Sequence, residues 1–549
     1  MRRSFHSPLT AMLREADAAG LEARITSAPI DEIGAMRAER AQQPARRTVL
    51  SGLAATTGLA FLPSRSLAIG KPRIAIIGGG LAGLRCADIL WNEAGLFAPV
   101  FDWNDHVGGR VGTLRNYFVN NQITEQHGEF ISSEHSATLK LAQDFGLDLW
   151  NTNAYPGDEQ DIYRFEGAPY TQADLNADWH SFGWKLFRHA VDLAPHANYQ
   201  SYSKSAHEWD HMSVPEWIET YIPGGTASRF GRLCLSDVIS EYGGPPEDQS
   251  ALNLIYILGY DTSTRNSYQP VRHPTLAGTN EKWHIKGGND QLITGLSARL
   301  PEGAIRLGHR LIALRENSDK SYTCTFRRGH GSVEFKADHV VIAIPFSTLR
   351  EVDLERVHIS ALKQRAIETL QLGNNAKIQI QVAGSPWRRD GFTGDMLSGA
   401  APQGGWDGSF YQEAKKPGAT EIYVALPGGQ DGKGLASKYG MKFGHFEGPA
   451  PSALVTDTLM ELEKIYPGIT DAWQKGPQLA WVNDGNIDPH LRGAWSQYNI
   501  GQYTGFSGIE KEAEGNIHFA GEHTSPGYQG FMEGAVRSGE RAAREILGA

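Results

Sequence analysis

Residues 71–83 read KPRIAIIGGGLAG, and this stretch decides the fold of the chain. Four apolar residues run directly into the glycines Gly78, Gly80 and Gly83, and a helix-compatible run follows to residue 91. At this spacing the first glycine makes a tight turn, the second lets the backbone approach a pyrophosphate, and the third lets helix and strand pack closely. The spacing therefore predicts a strand, a turn and a helix whose N-terminus faces phosphate groups.

A second signal supports a dinucleotide site. The apolar run at residues 98–101 ends in Asp102, about 20 residues beyond the last glycine, where an acidic side chain binds ribose hydroxyls in such folds. Together the two stretches predict a Rossmann-type α/β domain that binds a dinucleotide.

The next motif indicates which dinucleotide is bound. Residues 100–113 read VFDWNDHVGGRVGT, so a Gly-Gly-Arg segment closely follows Asp102. A Rossmann start with a nearby GGR resembles the flavin-containing amine oxidase family. The resemblance implies FAD, with Asp102 on the adenosine ribose where glutamate is usual, and with Gly109 and Arg110 along the pyrophosphate. Asn104 replaces an arginine common in the family.

Composition limits the class of protein. The chain has 549 residues, 40% hydrophobic and 21% charged, which predicts a globular protein of two lobes. The net charge of -10 argues against nucleic acid or anionic membrane as partner. The three cysteines, Cys86, Cys234 and Cys324, are too widely spaced for a zinc site or a disulfide framework, so we predict no metal and three buried thiols.

The first 70 residues differ in character from the rest. Arg46-Arg47 opens a weakly apolar, Ala/Gly-rich run that is too short to span a bilayer permanently, and small residues follow it. Residues 46–68 resemble a twin-arginine export signal, which implies a periplasmic or secreted protein, and residues 1–45 are predicted to be a presequence. The alternative is an ordinary N-terminal extension of a cytoplasmic protein.

The resemblance also implies how the lobes alternate along the chain. It predicts an α/β fold in which a Rossmann-type FAD-binding domain (69–150, 281–350 and 481–549) carries an inserted α+β substrate-binding domain (151–280 and 351–480).

Two further stretches are expected beside the cofactor. Residues 124–131, TEQHGEFI, occupy the family's flavin-side segment, which places Glu129 and Phe130 at the flavin. His127 stands there where glycine is usual. The backbone near Ile312 lies where family members hold the adenine.

The C-terminal 35 residues carry the second strong signal. A short strand ends in Gly521 and Glu522, and a helix follows, so a second positive helix end is predicted at the cofactor, where it stabilises an anionic flavin. By resemblance, Glu522 contacts the ribityl chain or pyrophosphate, and the backbone N–H of Met532 faces the flavin O2.

Three side chains are candidates for the chemistry. Lys377 lies in a run, 372–380, whose alternation predicts a half-exposed strand. By resemblance Lys377 is the family's flavin lysine, which bonds through water to flavin N5, and Trp495 and Phe531 are the aromatic pair perpendicular to the flavin. Ala494 stands where covalent members have a flavin-linked cysteine, so we predict non-covalent FAD.

The function implied is oxidative deamination of an amine. Hydride passes from the substrate α-carbon to flavin N5, the imine hydrolyses in water, and dioxygen is reduced to hydrogen peroxide. An apolar, aromatic site favours the neutral amine that this reaction requires, and the protein contributes orientation and electrostatics to the cofactor's chemistry.

Other functions stay open. In an L-amino acid oxidase of the venom type an arginine holds the α-carboxylate of the substrate. Phe130 occupies that position here, which favours amines without a carboxylate. If another arginine took over this role, an L-amino acid oxidase would remain the alternative. Glu129 either receives the cationic tail of a diamine or polyamine or makes a structural hydrogen bond. A non-catalytic FAD scaffold and a desaturase or porphyrinogen-type oxidase are further alternatives. The amine, the electron acceptor and the oligomeric state, a homodimer included, are not decided.

Overall fold

The computed structural model describes residues 71–152, 159–165, 168–259, 280–409, 412 and 419–548. All of them belong to one compact unit, Lys71–Ala549. The predicted presequence (1–45) and export signal (46–68) lie outside the described residues, so both stay predictions.

The elements are numbered along the chain. The strands are β1 (Ile74–Ile77), β2 (Val100–Phe101), β3 (Thr113–Leu114), β4 (Thr124–Glu125), β5 (Leu149–Asn151), β6 (Gln160–Phe165), β7 (Ala168–Tyr170), β8 (Trp283–Ile285), β9 (Ile305–Arg306), β10 (Arg310–Glu316), β11 (Tyr322–Arg328), β12 (Gly331–Ala337), β13 (His339–Ile342), β14 (Asp353–Arg356), β15 (Gln371–Leu372), β16 (Ala376–Ala383), β17 (Phe392–Ser398), β18 (Gly404–Asp407), β19 (Thr420–Leu426), β20 (Glu447–Pro449), β21 (Leu479–Asp484), β22 (Ser496–Gln497) and β23 (Ile517–Phe519). The α-helices are α1 (Leu81–Ala94), α2 (Ser136–Asp144), α3 (Gln172–Asp178), α4 (Trp184–Leu193), α5 (Lys204–Asp210), α6 (Val214–Tyr221), α7 (Arg229–Tyr242), α8 (Ala251–Gly259), α9 (Gln291–Ala298), α10 (Phe346–Leu349), α11 (Ala361–Thr369), α12 (Pro386–Arg389), α13 (Gly429–Lys438), α14 (Ser452–Ile465), α15 (Ile469–Lys475), α16 (Gln502–Gly505) and α17 (Met532–Leu547).

A five-stranded parallel sheet in the order β23-β13-β1-β2-β9 confirms the predicted Rossmann-type fold. Its central strand β1 is fully buried, as a parallel strand covered on both faces must be. Helix α1 packs close behind β1 because Gly83 has no side chain: a Cβ there would lie 1.9 Å from the Gly78 carbonyl oxygen. Gly78 itself makes the turn at a φ of 109°, which favours glycine.

A second sheet has four strands in the order β12-β11-β10-β14 and is mixed, because β10 pairs antiparallel with β11 and parallel with β14. Strand β10 contains a bulge, so no residue of β11 lies opposite Ile312. A bulge leaves the extra residue out of the ladder and re-aims it. The backbone expected at the adenine is therefore not part of the β10–β11 pairing.

The eight-stranded sheet, β20-β21-β16-β19-β18-β17-β6-β7, corrects one prediction. Strand β16 is not half-exposed, because its first seven residues are buried. One face packs on the apolar core formed with α14 and α15. The polar face, which includes Lys377, is covered by the segment 119–129 and not by water.

The segment between β7 and the end of α8 is helical and rich in aromatic core residues, in agreement with the sequence pattern. Strands β6 and β7 were not predicted and extend the eight-stranded sheet at its edge. The three cysteines are buried, as predicted. Within the described residues, no helix combines the length and the apolar character needed to cross a membrane.

His523 is a buried polar residue just after β23. It is 1% exposed, and neither ring nitrogen has a hydrogen-bond partner among the described residues. Its ring lies edge-on to Phe346, with the centroids 4.5 Å apart. Burial lowers the pKa of His523 from 6.5 to about 3, so the folded protein holds it neutral.

We predict that Gly83→Ala destabilises the fold, because its Cβ would push α1 away from the Gly78 turn. The expected loss in the free energy of unfolding is about 1–3 kcal/mol. The matched control is Gly434→Ala in α13, where a Cβ meets nothing within 4 Å; it is expected to be neutral or stabilising by about 0.5–1 kcal/mol. Denaturant titrations followed by circular dichroism compare the two variants, and equal stabilities would contradict the close contact.

We predict that His523 makes the fold acid-sensitive. The unfolded chain binds this proton below pH 6.5 and the folded chain only near pH 3, so the contribution is complete above pH 6.5 and falls as the pH falls. The loss at pH 5 is about 2 kcal/mol. His523→Phe should reduce the loss of stability between pH 7 and 5 by this amount, whereas His330→Gln, on the exposed turn between β11 and β12, should not. Identical pH slopes for wild type and His523→Phe would refute the assignment.

Candidate functional site

The site begins at the N-terminus of α1. Gly80 precedes this helix, whose first turn has no side-chain cap and no acidic residue. Gly108 donates its N–H to the Gly79 carbonyl at 2.9 Å, and a Cβ on Gly109 would lie 3.5 Å from the Gly80 Cα. The two glycine segments thus form a bare backbone surface beside uncapped helix N–H groups. This surface fits a pyrophosphate, because the helix end favours negative charge.

Asp102 closes the loop at the end of β2. Its carboxylate accepts the N–H of Gly79 at 2.6 Å and the N–H of Asn104 at 2.7 Å. The structure therefore places Asp102 at the predicted edge of the site and ties it to the glycine turn. Its contact with a ribose stays a prediction.

Glu522 is the hub of the site. The Arg110 guanidinium donates to its Oε1 at 2.7 Å, and its Oε2 accepts the Ser496 hydroxyl at 2.6 Å and the Gly530 N–H at 2.8 Å. Burial opposes ionisation, but Arg110 and these hydrogen bonds outweigh it and hold the pKa of Glu522 below its usual value. Gly521, which precedes it, has a φ of 121° that favours glycine.

The two predicted aromatic residues flank this hub. Trp495 directly precedes Ser496, and Phe531 directly follows Gly530. A Cβ on Gly530 would lie 3.3 Å from the Trp495 Cδ1, so the two segments meet. The ring of Phe531 lies 5.0 Å from that of His135, centroid to centroid.

Trp495 is held from its other side by α7. Its indole N–H donates to the Glu241 carbonyl at 2.5 Å. Burial, with the nearby carboxylates of Glu281 and Asp237, raises the pKa of the Glu241 side chain well above its usual value. No sequence motif marked this residue.

Lys377 reaches the site from β16. Its ammonium donates to Glu129 at 2.6 Å and to the Glu125 carbonyl at 3.3 Å. The second oxygen of Glu129 accepts the Trp406 indole N–H at 2.9 Å. The Phe130 ring lies edge-on to Trp406 at 5.6 Å between centroids. The structure thus gathers three predicted residues around Trp406, which the sequence analysis missed because no motif surrounds it.

A buried polar cluster supports the segment that Lys377 contacts. Glu125 is fully buried. Its carboxylate lies 2.9 Å from His284 Nε2 and accepts hydrogen bonds from the Asn289 N–H at 3.0 Å and the Thr113 hydroxyl at 2.9 Å. These bonds satisfy the carboxylate, as a buried charge requires. They fix the backbone carbonyl that Lys377 uses.

His127, the residue in the family's glycine position, forms no hydrogen bond with the described residues. Burial, together with the charges of Lys377 and Arg110, lowers its pKa to about 4 against the opposing effect of Asp488. The ring is therefore a neutral imidazole at physiological pH.

Met532 begins the second helix predicted at the cofactor. Helix α17 has no side-chain cap on its first turn, so its first N–H groups are available to an acceptor. Met532 packs against the flavin-side segment, since a Cβ on Gly128 would lie 3.2 Å from the Met532 Cγ. The pyrophosphate and the flavin of FAD would thus each meet an uncapped helix N-terminus, which is a fit to FAD. The described residues contain no group of His, Cys, Asp or Glu suited to a metal ion.

Comparisons with solved structures show the same fold. Cyclohexylamine oxidase from Brevibacterium oxydans IH-35A superposes with a TM-score of 0.69 at 19% identity, over 87% of this chain and 99% of that one. A structure of putrescine oxidase bound to putrescine gives a TM-score of 0.69 at 18% identity, with the same coverage.

Sequence comparisons extend along most of the chain. The flavin-containing amine oxidase A of Equus caballus is 24% identical over 502 residues, which cover 87% of this chain and 85% of the relative. The flavin-containing amine oxidase of Danio rerio is 23% identical over 497 residues, 86% and 85% of the two chains. The model of the flavin-containing amine oxidoreductase family matches residues 81–547, which include the glycine turn's helix, Lys377 and the Glu522 hub. The chain therefore belongs to the flavin-containing amine oxidoreductase family.

Proposed function

We propose that this protein oxidatively deaminates an amine that lacks an α-carboxylate, with dioxygen as the final electron acceptor. Membership of the family makes it an FAD-dependent oxidoreductase of amines. Bound FAD supplies the two-electron acceptor. The observation that carries the finer proposal is the Glu522 hub, because one buried carboxylate bonds to the residues next to both aromatic positions, Trp495 and Phe531.

The aromatic character of the site suits a neutral amine. The segments that carry Trp495 and Phe531 meet at the hub. Trp406 lies beside Lys377 and contacts the ring of Phe130. Apolar rings disfavour the charged form of a bound amine and so lower its pKa. The amine lone pair, which oxidation requires, is then available without a dedicated base.

The charges around the site argue against a carboxylate-bearing substrate. Phe130 offers a phenyl ring where an arginine would hold an α-carboxylate. Arg110 is paired with Glu522, and Lys377 is paired with Glu129. Neither of these cations is available for a carboxylate unless it gives up its partner.

Lys377 is the residue to which we assign assistance in the oxygen reaction. It is buried and positively charged beside its carboxylate partner, at the flavin-side segment. A fixed cation stabilises negative charge that develops on reduced oxygen. Ala494 has no thiol for attachment of the cofactor, which supports non-covalent FAD.

We predict that amines, and not the matching amino acids, bleach the flavin absorbance of the purified protein under anaerobic conditions. The pairs are cadaverine with L-lysine and tyramine with L-tyrosine, which differ only in the carboxylate. Bleaching by the amino acids alone would reveal an L-amino acid oxidase. No bleaching by any amine or amino acid tested would favour a scaffold or a ring oxidase.

We predict that Lys377→Met retains FAD but slows reoxidation of the reduced flavin by oxygen on the order of 100-fold. Stopped-flow mixing of the reduced variant with aerated buffer measures this step apart from reduction by substrate. The matched control is Lys438→Met, which replaces a mostly exposed lysine of α13, and it should reoxidise like wild type. Unchanged reoxidation in Lys377→Met would remove this residue from the mechanism.

A further inference from the structure

The polar face of β16 forms a seam with the loop segment 119–129. Lys377 and Gln379 both donate to the Glu125 carbonyl, at 3.3 Å each, and Gln381 donates to the Val119 carbonyl at 3.2 Å. The Val119 N–H returns a bond to Gln381 at 3.0 Å. The seam therefore joins the eight-stranded sheet to the flavin-side segment through hydrogen bonds.

One ion pair lies in this seam. The side chains of Lys377 and Glu129 are 8% and 3% exposed, and 2.6 Å separates the bonded nitrogen and oxygen. Removing one partner of a buried pair leaves the other charge uncompensated, which is strongly unfavourable. The two residues therefore depend on each other for burial.

Glu129 is itself held in place. The Trp406 indole N–H donates to its second oxygen at 2.9 Å, and the Lys377 ammonium lies 5.3 Å from the centre of the Trp406 ring. Trp406 thus contacts both members of the pair. The carboxylate and the ammonium share one fixed geometry.

Lys377 has more hydrogen-bond donors than the protein acceptors around it use. An ammonium has three N–H donors. Within the described part of the chain, Lys377 Nζ donates hydrogen bonds to two acceptors, the Glu129 carboxylate and the Glu125 carbonyl. Both acceptors belong to the flavin-side segment, and the third N–H of Lys377 has no hydrogen-bond acceptor among the described residues.

We propose that Glu129 is a positioning residue for Lys377 and not a receptor for a cationic group of the substrate. Its carboxylate holds the ammonium so that one N–H remains for the water at the cofactor. This inference rests on the proposed role of Lys377 in the oxygen reaction. Because the carboxylate charge is already compensated, the pair adds no net negative charge that would attract a second ammonium.

Glu129→Gln tests the proposal, since it preserves the shape of the side chain and removes its charge. Its reoxidation rate should fall on the order of tenfold or more through misplacement of Lys377. Glu129→Asp keeps the charge and should recover most of the rate. The double variant Glu129→Gln/Lys377→Met should be no slower than Lys377→Met alone, because both act through one group.

Gln381→Leu provides the matched control. It removes the bonds of the seam to Val119 without altering charge or the Glu125 carbonyl that Lys377 uses, so reoxidation should match wild type. The thermal unfolding midpoints of the four holoenzymes (wild type, both single variants and the double variant) give a second readout. The double variant should be more stable than the sum of the single losses predicts, as expected for a coupled ion pair.

Four results would overturn the proposal. Independent, multiplicative slowing in the double variant would show that Glu129 acts apart from Lys377. A KM in Glu129→Gln that rises for cadaverine but not for pentylamine would make Glu129 a receptor for the cationic tail. Normal reoxidation in Lys377→Met would defeat the assigned role of the lysine and this inference with it, whereas normal reoxidation in Glu129→Gln alone would defeat only the inference.

Discussion

The architecture of the site depends on the buried carboxylate of Glu522. A buried charge is tolerated only when other groups compensate it and occupy its hydrogen-bonding positions. Glu522 obtains these partners from three separate segments of the chain, those of Arg110, Ser496 and Gly530. The same requirement therefore fixes the pyrophosphate loop relative to both aromatic residues. A shift in any one segment would remove one of the partners of the buried carboxylate, so the three segments are held in one arrangement.

The Lys377–Glu129 pair is a second buried charge contact between distant segments, and it connects different parts of the structure. It joins the eight-stranded sheet to the segment beside the flavin, across the seam formed by the polar face of β16. Both contacts compensate charge inside the protein. Aromatic side chains lie at both places, Trp495 and Phe531 at Glu522 and Phe130 and Trp406 at the ion pair. Apolar rings of this kind favour the neutral form of an amine.

The parts that the sequence predicted well are those determined by local physics. The spacing of Gly78, Gly80 and Gly83 specifies the turn and the close approach of α1, and the uncapped starts of α1 and α17 follow from neighbouring residues. Contacts between distant segments were not predictable in this way. Trp406 is one aromatic residue among many, and nothing near it in sequence indicates that it bonds to Glu129, 277 residues away.

The error at β16 has the same origin. Alternating apolar and polar residues indicate that two strand faces have different surroundings, and water is the usual polar partner. The pattern does not distinguish water from a polar protein loop. In this fold the segment 119–129 supplies carbonyls and a carboxylate that accept hydrogen bonds from Lys377, Gln379 and Gln381. A strand face that carries one buried cation among amides needs a carboxylate nearby. The sequence of the strand shows the cation, but its partner can be identified only when the segment packed against the strand is known. The face that the pattern assigned to solvent is for this reason the one that connects the sheet to the cofactor site.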